Sequence, residues 1–354
     1  MKRLIPALLA LCLLLCACNG AEAPATTTAA PTETTAAPTT EATTVPTTTE
    51  PPIIYRHPLT GAQLEEPFAG RITTFTINNI AAAMPQHGTS QADVIYEVTV
   101  EGGATRCLAL FTNLSEVGAI GSVRSARTYF ISISRAYNAA FVHSGKSSFA
   151  QDVFNQGVID HIDADPTAFY RDSARRSAGY AIEHCHFTTG EKILAVLESK
   201  FDMTAPADAN YGFNFVDEQT LSGETAKTAT VHFAKSGGKT TKFVYDELAG
   251  DYAAFQHGKD YVDGNFNEQL HFENVLVLQA KRTGITGAVN VRHELVGENI
   301  GYYLNGGKIV PIKWTRAAED QPFSYTLEDG TPLTMTPGKT YVNVVPEGSP
   351  VVYE

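Results

Sequence analysis

The stretch SQADVIYEVTVEGGATRCLALFTN, residues 90–113, decides the fold. Two apolar runs, Asp93 to Val100 and Arg106 to Thr112, flank Glu101-Gly102-Gly103-Ala104. Paired glycines between such runs predict a hairpin or a close approach of two backbones. Into these core strands the sequence places Glu97, Glu101 and Arg106. The next segment, AIGSVRSARTYFISISRAYN at 119–138, adds Arg124 and Arg127, and the run AAFVH ends on His143. Charge this dense beside core strands marks either a buried ion-pair network or a ligand site.

Outward from this stretch, Ile72 to Asn78 reads as a β-branched strand and Ala139 to His143 as a short buried one. Ser125 to Tyr137 is predicted helical, with Tyr129, Phe130, Ile133 and Tyr137 on one face at spacings of three and four. Phe149 to Asn155 reads as a short helix. Thr188 to Phe201 reads as a stronger one, capped by Thr188 or Thr189, with Ile193, Leu194, Leu197 and Phe201 aligned. After Gly212 the pattern changes. Strand-like runs follow at 228–234, 241–245, 251–256, 274–280, 288–295, 301–304, 308–314, 322–326 and 341–345, punctuated by turns such as Asn305-Gly306-Gly307. The expected class is α/β (α+β): a mixed sheet with helices over 53–215, then a mostly β part over 216–354, with the boundary near 205–225.

The first 18 residues read as a lipoprotein signal peptide. Lys2 and Arg3 precede the apolar run Leu4 to Leu15, which is too short to span a bilayer as a mature helix. Leu15-Cys16-Ala17-Cys18 fits a lipobox, so lipidation is expected on Cys18, whose two acyl chains meet the requirement for stable anchoring. Residues 19–52 are Thr, Pro and Ala with a few Glu, and hold no aromatic residue, Lys or Arg. Such a segment cannot bury enough apolar area to repay chain entropy and is expected to be a disordered tether. Extended by proline at roughly 3 Å per residue, it would reach about 100 Å. The expected location is the extracytoplasmic face of the cell membrane.

Setting aside Lys2, Arg3 and the tether glutamates Glu22, Glu33, Glu41 and Glu50 leaves 24 basic against 34 acidic residues, a net charge of −10. A nucleic-acid partner would need a basic face, and none is visible as a cluster, since Asp172 interrupts Arg171, Arg175 and Arg176.

Several motifs carry a family resemblance: Ile77-Asn78-Asn79, Ser90 to Glu97, Val100 to Arg106, and Gly121-Ser122-Val123-Arg124-Ser125-Ala126-Arg127. Over roughly residues 55 to 350 the chain resembles the YerB-like lipoproteins, a bacterial family built from a domain of unknown function and a distinct C-terminal partner domain. The resemblance implies a three-layer N-terminal sandwich followed by a β-rich domain, and brings no activity. One departure stands out. His184-Cys185 lies where the family tends to place His-Asn, which leaves the role of that second residue open.

Glu97 and Glu101 are four apart, so on one strand they would share a face about 13 Å apart. Arg106 lies across the turn from them. Either these charges pair structurally, or Arg106, Arg124 and Arg127 face an anionic ligand. Gly121 to Ser125 precedes the clearest helix, whose free N–H groups and dipole would attract phosphate or carboxylate. The plainer reading is that Ser122 or Ser125 caps the helix and the arginines pair with the glutamates.

His143-Ser144-Gly145-Lys146-Ser147 imitates the end of a phosphate-binding loop, but Ala140 stands where that motif needs glycine. His184 and His186 would point to opposite faces of an extended segment, a poor arrangement for one metal ion. Asp160, Asp163 and Asp165 resemble a calcium loop only loosely. Neither a metal nor a cofactor is expected. Cys107 lies in a continuous apolar run as a buried thiol, and a Cys107–Cys185 disulfide stays open. Of the C-terminal aromatics, Trp314 is the first candidate for an exposed platform.

The sequence reading is a lipoprotein holding an anionic cell-wall or small-molecule ligand near Arg106, Arg124 and Arg127, with Glu97, Glu101, His143 and His184 shaping the pocket. Two alternatives stand beside it. One is a cell-wall hydrolase or transferase using Glu97 or Glu101 with His143 or His184. The other is a structural adaptor, contacting a protein partner, in which the charges only hold the fold.

Overall fold

Eleven strands from both halves of the chain join one sheet in this computed structural model, which describes residues 54–206 and 209–354. The expected signal peptide, lipidated Cys18 and tether lie outside the described residues. Ten strands form a continuous path: 224–225, 308–316, 297–305, 274–280, 340–346, 94–99, 105–111, 73–79, 140–143 and 161–163. The eleventh, Ser324–Leu327, pairs with Lys308–Arg316. Thr340–Pro346 sits mid-sheet, parallel to both Val94–Thr99 and Asn274–Ala280. Val94–Thr99 and Thr105–Phe111 form the expected antiparallel hairpin, with Gly102 and Gly103 at φ 68° and 76° in its turn.

The central strands are buried on both faces, and alternation along each strand assigns their side chains to two cores. Val94, Tyr96, Val98, Leu108 and Leu110 pack on one face with Tyr129, Phe130 and Ile133 of the helix Thr128–Ala136. Ile95, Cys107, Ala109 and Tyr341 pack on the other with Ala229, Val231, Phe243 and Ala254 from a second, six-stranded sheet. That sheet is built around Thr228–His232, Thr240–Asp246 and Asp251–Gln256. The helix Gly190–Lys200 begins at Thr189, whose hydroxyl accepts from Lys192 N at 3.3 Å, and it buries Ile193 and Leu197. The result is a mixed α/β architecture with a strand-rich C-terminal half.

Trp314 is not exposed. It is 1% accessible, its indole N–H donates to the Gln279 carbonyl at 2.9 Å, and Phe323 packs edge-on at 5.5 Å. On Lys308–Arg316 the inward parity runs Val310, Ile312, Trp314, so the ring has no route to the surface. Cys107 and Cys185 are both free and buried. Burial first, then the Glu97 charge, pushes the Cys107 thiol up to about 12, which keeps it protonated and unreactive. Among the described residues no helix is long and apolar enough to cross a membrane.

Candidate functional site

The structure divides the predicted site residues between the two faces of the sheet. Glu97 lies on the face toward the six-stranded sheet and has no solvent exposure. Its carboxylate pairs with Lys239 Nζ at 2.8 Å. It also accepts from Thr241 Oγ1 at 2.6 Å, Thr105 Oγ1 and Tyr341 Oη at 2.7 Å, Asn79 Nδ2 at 2.8 Å and Gln256 Nε2 at 3.0 Å. Burial alone would raise its pKa, but the Lys239 charge and these donors outweigh it and hold the group below the usual carboxylate range. A carboxylate this fully engaged has no lone pair left for a ligand. Glu97 therefore ties the two sheets together and shapes no pocket.

Glu101 does not share that face. The strand ends at Thr99, so alternation stops there, and Glu101 sits in the turn Glu101–Gly103. From the turn it meets Arg127 in a fork, Nε at 2.6 Å and Nη2 at 2.9 Å, and accepts from Asn290 Nδ2 at 2.8 Å. Burial opposes its ionisation, yet the Arg127 hydrogen bonds and charge keep its pKa below the ordinary value. Such a bidentate pair fixes geometry as well as charge.

Arg106 and Arg124 take no carboxylate. Arg106 points to the helix side and donates through Nη1 to the Ser125 carbonyl at 2.8 Å. Burial, then the Arg127 and Arg124 charges, lowers its pKa to about 10. Arg124 donates through Nη1 to the Glu183 carbonyl at 2.9 Å, while its Nε is buried with no partner among the described residues. The exposed Glu183 side chain acts on Arg124 only through space. Three guanidiniums thus crowd together against one contacting carboxylate.

The helix beside them starts at Thr128, later than expected, with Arg127 at its N-cap and no side-chain cap. Neither Ser122 nor Ser125 caps it, and the Ser122 hydroxyl is buried with no partner among the described residues. Gly121 sets the approach of this segment. At φ +151°, its added Cβ would lie 2.8 Å from the Phe187 ring and 2.9 Å from the His186 carbonyl. Gly121→Ala is expected to lower stability by about 1–3 kcal/mol, read from the urea midpoint at unchanged slope. An unchanged midpoint would mean that the segment relaxes freely.

His143 does not line the site. It is fully buried, stacked on Phe154 at 4.9 Å, and bonded through Nε2 to His161 Nδ1 at 3.0 Å and through Nδ1 to the Gly145 carbonyl at 2.9 Å. Burial lowers its pKa to about 4. His184 is buried in the turn Ile182–His184, close enough to Arg124 to feel its charge, and contacts Asn78 Nδ2 through Nδ1 at 3.0 Å. His186 contacts Ser144 Oγ at 2.6 Å instead. Asp160, Asp163 and Asp165 each take a separate cation: Arg71, Lys146 and Lys200. Lys146 of the loop-like motif is thereby neutralised, and Ser147 caps the helix Ser148–Phe154. Among the described residues no group of three metal-ligating side chains converges.

Neither Glu97 nor His143 reaches open space, which removes both from any acid–base pair; of the other two expected groups, Glu101 is held by Arg127 and Asn290, and His184 contacts Asn78. What the structure does bring together is Arg106, Arg124, Arg127 and Glu101, with His184 at the edge. Sequence reasoning missed Lys239, Thr241, Gln256 and Asn290. A lysine after Ser236-Gly237-Gly238 carries no mark of its buried partner 142 residues away.

Two family models match this chain. The N-terminal domain described as Protein of unknown function (DUF3048) covers residues 59–204, and its C-terminal domain covers 229–342. The chain belongs to this family. A relative, "Putative lipoprotein YerB" of Bacillus subtilis (strain 168), is 26% identical over 295 residues, covering 82% of this chain and 86% of that protein. The crystal structure of the YerB protein from Bacillus subtilis superposes with a TM-score of 0.73 at 24% identity, covering 84% of this chain and 99% of that one. At that identity the likeness speaks to the fold. The family description assigns no activity, so the side chains themselves carry the functional reading.

Proposed function

We propose that this protein is a lipoprotein, anchored through Cys18 on the extracytoplasmic face of the membrane, that binds an anionic ligand of the cell envelope at Arg106, Arg124 and Arg127. One observation carries the reading: among the described residues, Arg106 and Arg124 adjoin Arg127 but have no contacting acidic side chain, and Arg124 Nε is buried without a partner. A purely structural network would neutralise its charges, as the Glu97 cluster does. Here the three guanidiniums and Glu101 leave a local excess of positive charge, which a phosphate or carboxylate would offset through planar, bidentate bonds. The name of the Bacillus subtilis relative and the lipobox support the anchor. In this reading residues 53–215 supply the arginines, and 216–354 contribute Asn290, which orients Glu101.

The test is thermal unfolding of the full-length protein with inorganic phosphate, phosphorylated sugars and anionic cell-wall fragments. Ligand at a hundredfold excess over Kd stabilises the folded state by about 2.7 kcal/mol. Arg124→Ala is expected to abolish that shift while leaving the ligand-free midpoint within a few degrees, since no acidic partner is orphaned. Unfolding of the ligand-free variant would make Arg124 structural. Absence of any shift in the unmodified protein would favour the adaptor reading.

A further inference from the structure

Two further arginines join Arg124 around the loop that carries Glu183. The carbonyls of Tyr180, Ile182 and Glu183 each accept from one guanidinium Nη1, those of Arg176, of Arg171 at 3.0 Å and of Arg124 at 2.9 Å. Successive Cα atoms are 3.8 Å apart, so residues 180 to 183 span at most about 11 Å and the three guanidiniums surround one short loop. Arg171 and Arg176 are exposed and Arg124 is half-buried. Arg171 and Arg176 engage only Nη1. Their Nε–Nη2 edges, shaped to take an oxyanion in two parallel bonds, have no partner among the described residues.

The positive field of this loop is continuous with the arginine cluster. Arg124 feels the charges of Arg127 and of Arg171, and Arg106 feels those of Arg127 and Arg124. Two carboxylates stand among these five guanidiniums. Glu101 is forked to Arg127, and the exposed Glu183 acts on Arg124 and Arg176 through space without contacting either. Five against two leaves three positive charges in excess. The other ions nearby balance one another: Lys146 holds Asp163 at 2.7 Å, and Asp172 accepts from the backbone N–H of the buried Arg175 at the start of the helix Ser173–Ser177. Burial lowers the pKa of His184 and His186, so neither ring adds charge near pH 7. A single phosphate, at about −1.5 to −2, offsets part of the excess and leaves the free edges of Arg171 and Arg176 unfilled.

We infer that this patch holds a linear, base-free polymer with phosphate groups in series, one in the cluster of Arg106, Arg124 and Arg127 and the next along Arg171 and Arg176. The inference rests on the arginine-site reading and extends it from one anion to a chain. A nucleic acid fits less well. The loop carbonyls that could read base edges are already taken by the arginines, and the Tyr180 ring, which could stack a base, carries the Arg175 guanidinium at 4.1 Å.

The test is calorimetric titration of the full-length protein with inorganic phosphate and with a short linear inorganic polyphosphate, at several salt concentrations. Polyphosphate is expected to bind about a hundredfold more tightly than phosphate. Arg171→Ala and Arg176→Ala should each lower polyphosphate affinity about tenfold and reduce its salt slope by about one, with phosphate affinity almost unchanged. Each variant removes a different carbonyl contact, so if one fails to fold the other decides. Equal affinity for the two probes, or polyphosphate affinity indifferent to both variants, overturns the inference and leaves the single-anion reading standing. Binding of neither probe overturns both. Tighter binding of an oligothymidylate of equal charge than of polyphosphate overturns the base-free assignment and makes the occupant a nucleic acid.

Discussion

Lys239→Met is expected to destabilise the protein by about 3–5 kcal/mol, because it leaves the fully buried Glu97 carboxylate with hydroxyl and amide donors but no cation. Glu97 and Lys239 are 0% and 7% exposed at their side chains, so water cannot take over the missing charge. The loss arises less from the attraction removed than from the isolated charge left behind. The consequence can be separated experimentally. Adding Glu97→Gln to Lys239→Met removes the stranded charge while keeping an acceptor for Thr105 and Thr241, and should recover much of the loss. Urea denaturation of the three variants measures the coupling directly. If the double variant is no more stable than Lys239→Met alone, the carboxylate is not the source.

Acidification should remove a comparable amount of stability in a defined window. His143 and His293 are buried, and both are lowered from 6.5 to about 4, chiefly by burial. A lowered folded pKa means that the unfolded chain binds the proton first. Their contribution is therefore complete above pH 6.5, fades as pH falls, and is spent near pH 4. At 1.36 kcal/mol per pKa unit, each is worth on the order of 3 kcal/mol across that window. Glu97, with its pKa also lowered, acts in the same direction but below the ordinary carboxylate range, so the two effects separate on the pH axis. Stability measured by urea titration from pH 7.5 to 4 should fall steeply. His143→Asn combined with His293→Asn should flatten that slope, and a slope indifferent to both would mean that neither ring is held neutral by the fold.

Much of the fold was legible because two signals agreed along it. The β-branched runs bounded by paired glycines located nearly every long strand, and the periods of three and four located the helices Thr128–Ala136 and Gly190–Lys200. What failed was local parity. Whether Glu97 and Glu101 share a face depends on whether the strand continues past Thr99, and nothing in Val100-Glu101-Gly102-Gly103 says where the pairing stops. Trp314 failed for a related reason, because a single tryptophan in an alternating strand looks the same whether its parity faces in or out. The site was half legible. Arg124 and Arg127 stood out by their spacing before a helix, but the partner of Glu97 comes from another sheet, and no local pattern encodes a contact between sheets.

The mid-sheet place of Thr340–Pro346 bears on how the chain is made. Tyr341 and Glu97 are 244 residues apart, yet their strands are neighbours. At a synthesis rate of about 5–20 residues per second, the flank of Val94–Thr99 waits on the order of 10–50 s for the strand that covers it. Throughout that interval an apolar edge with unpaired amides is open to any passing strand, the circumstance that favours aggregation. Expression of residues 59–204 as an isolated fragment would make that interval permanent. The two halves of this chain thus complete the sheet only together, and a chain released before Thr340–Pro346 is made leaves the edge of Val94–Thr99 bare.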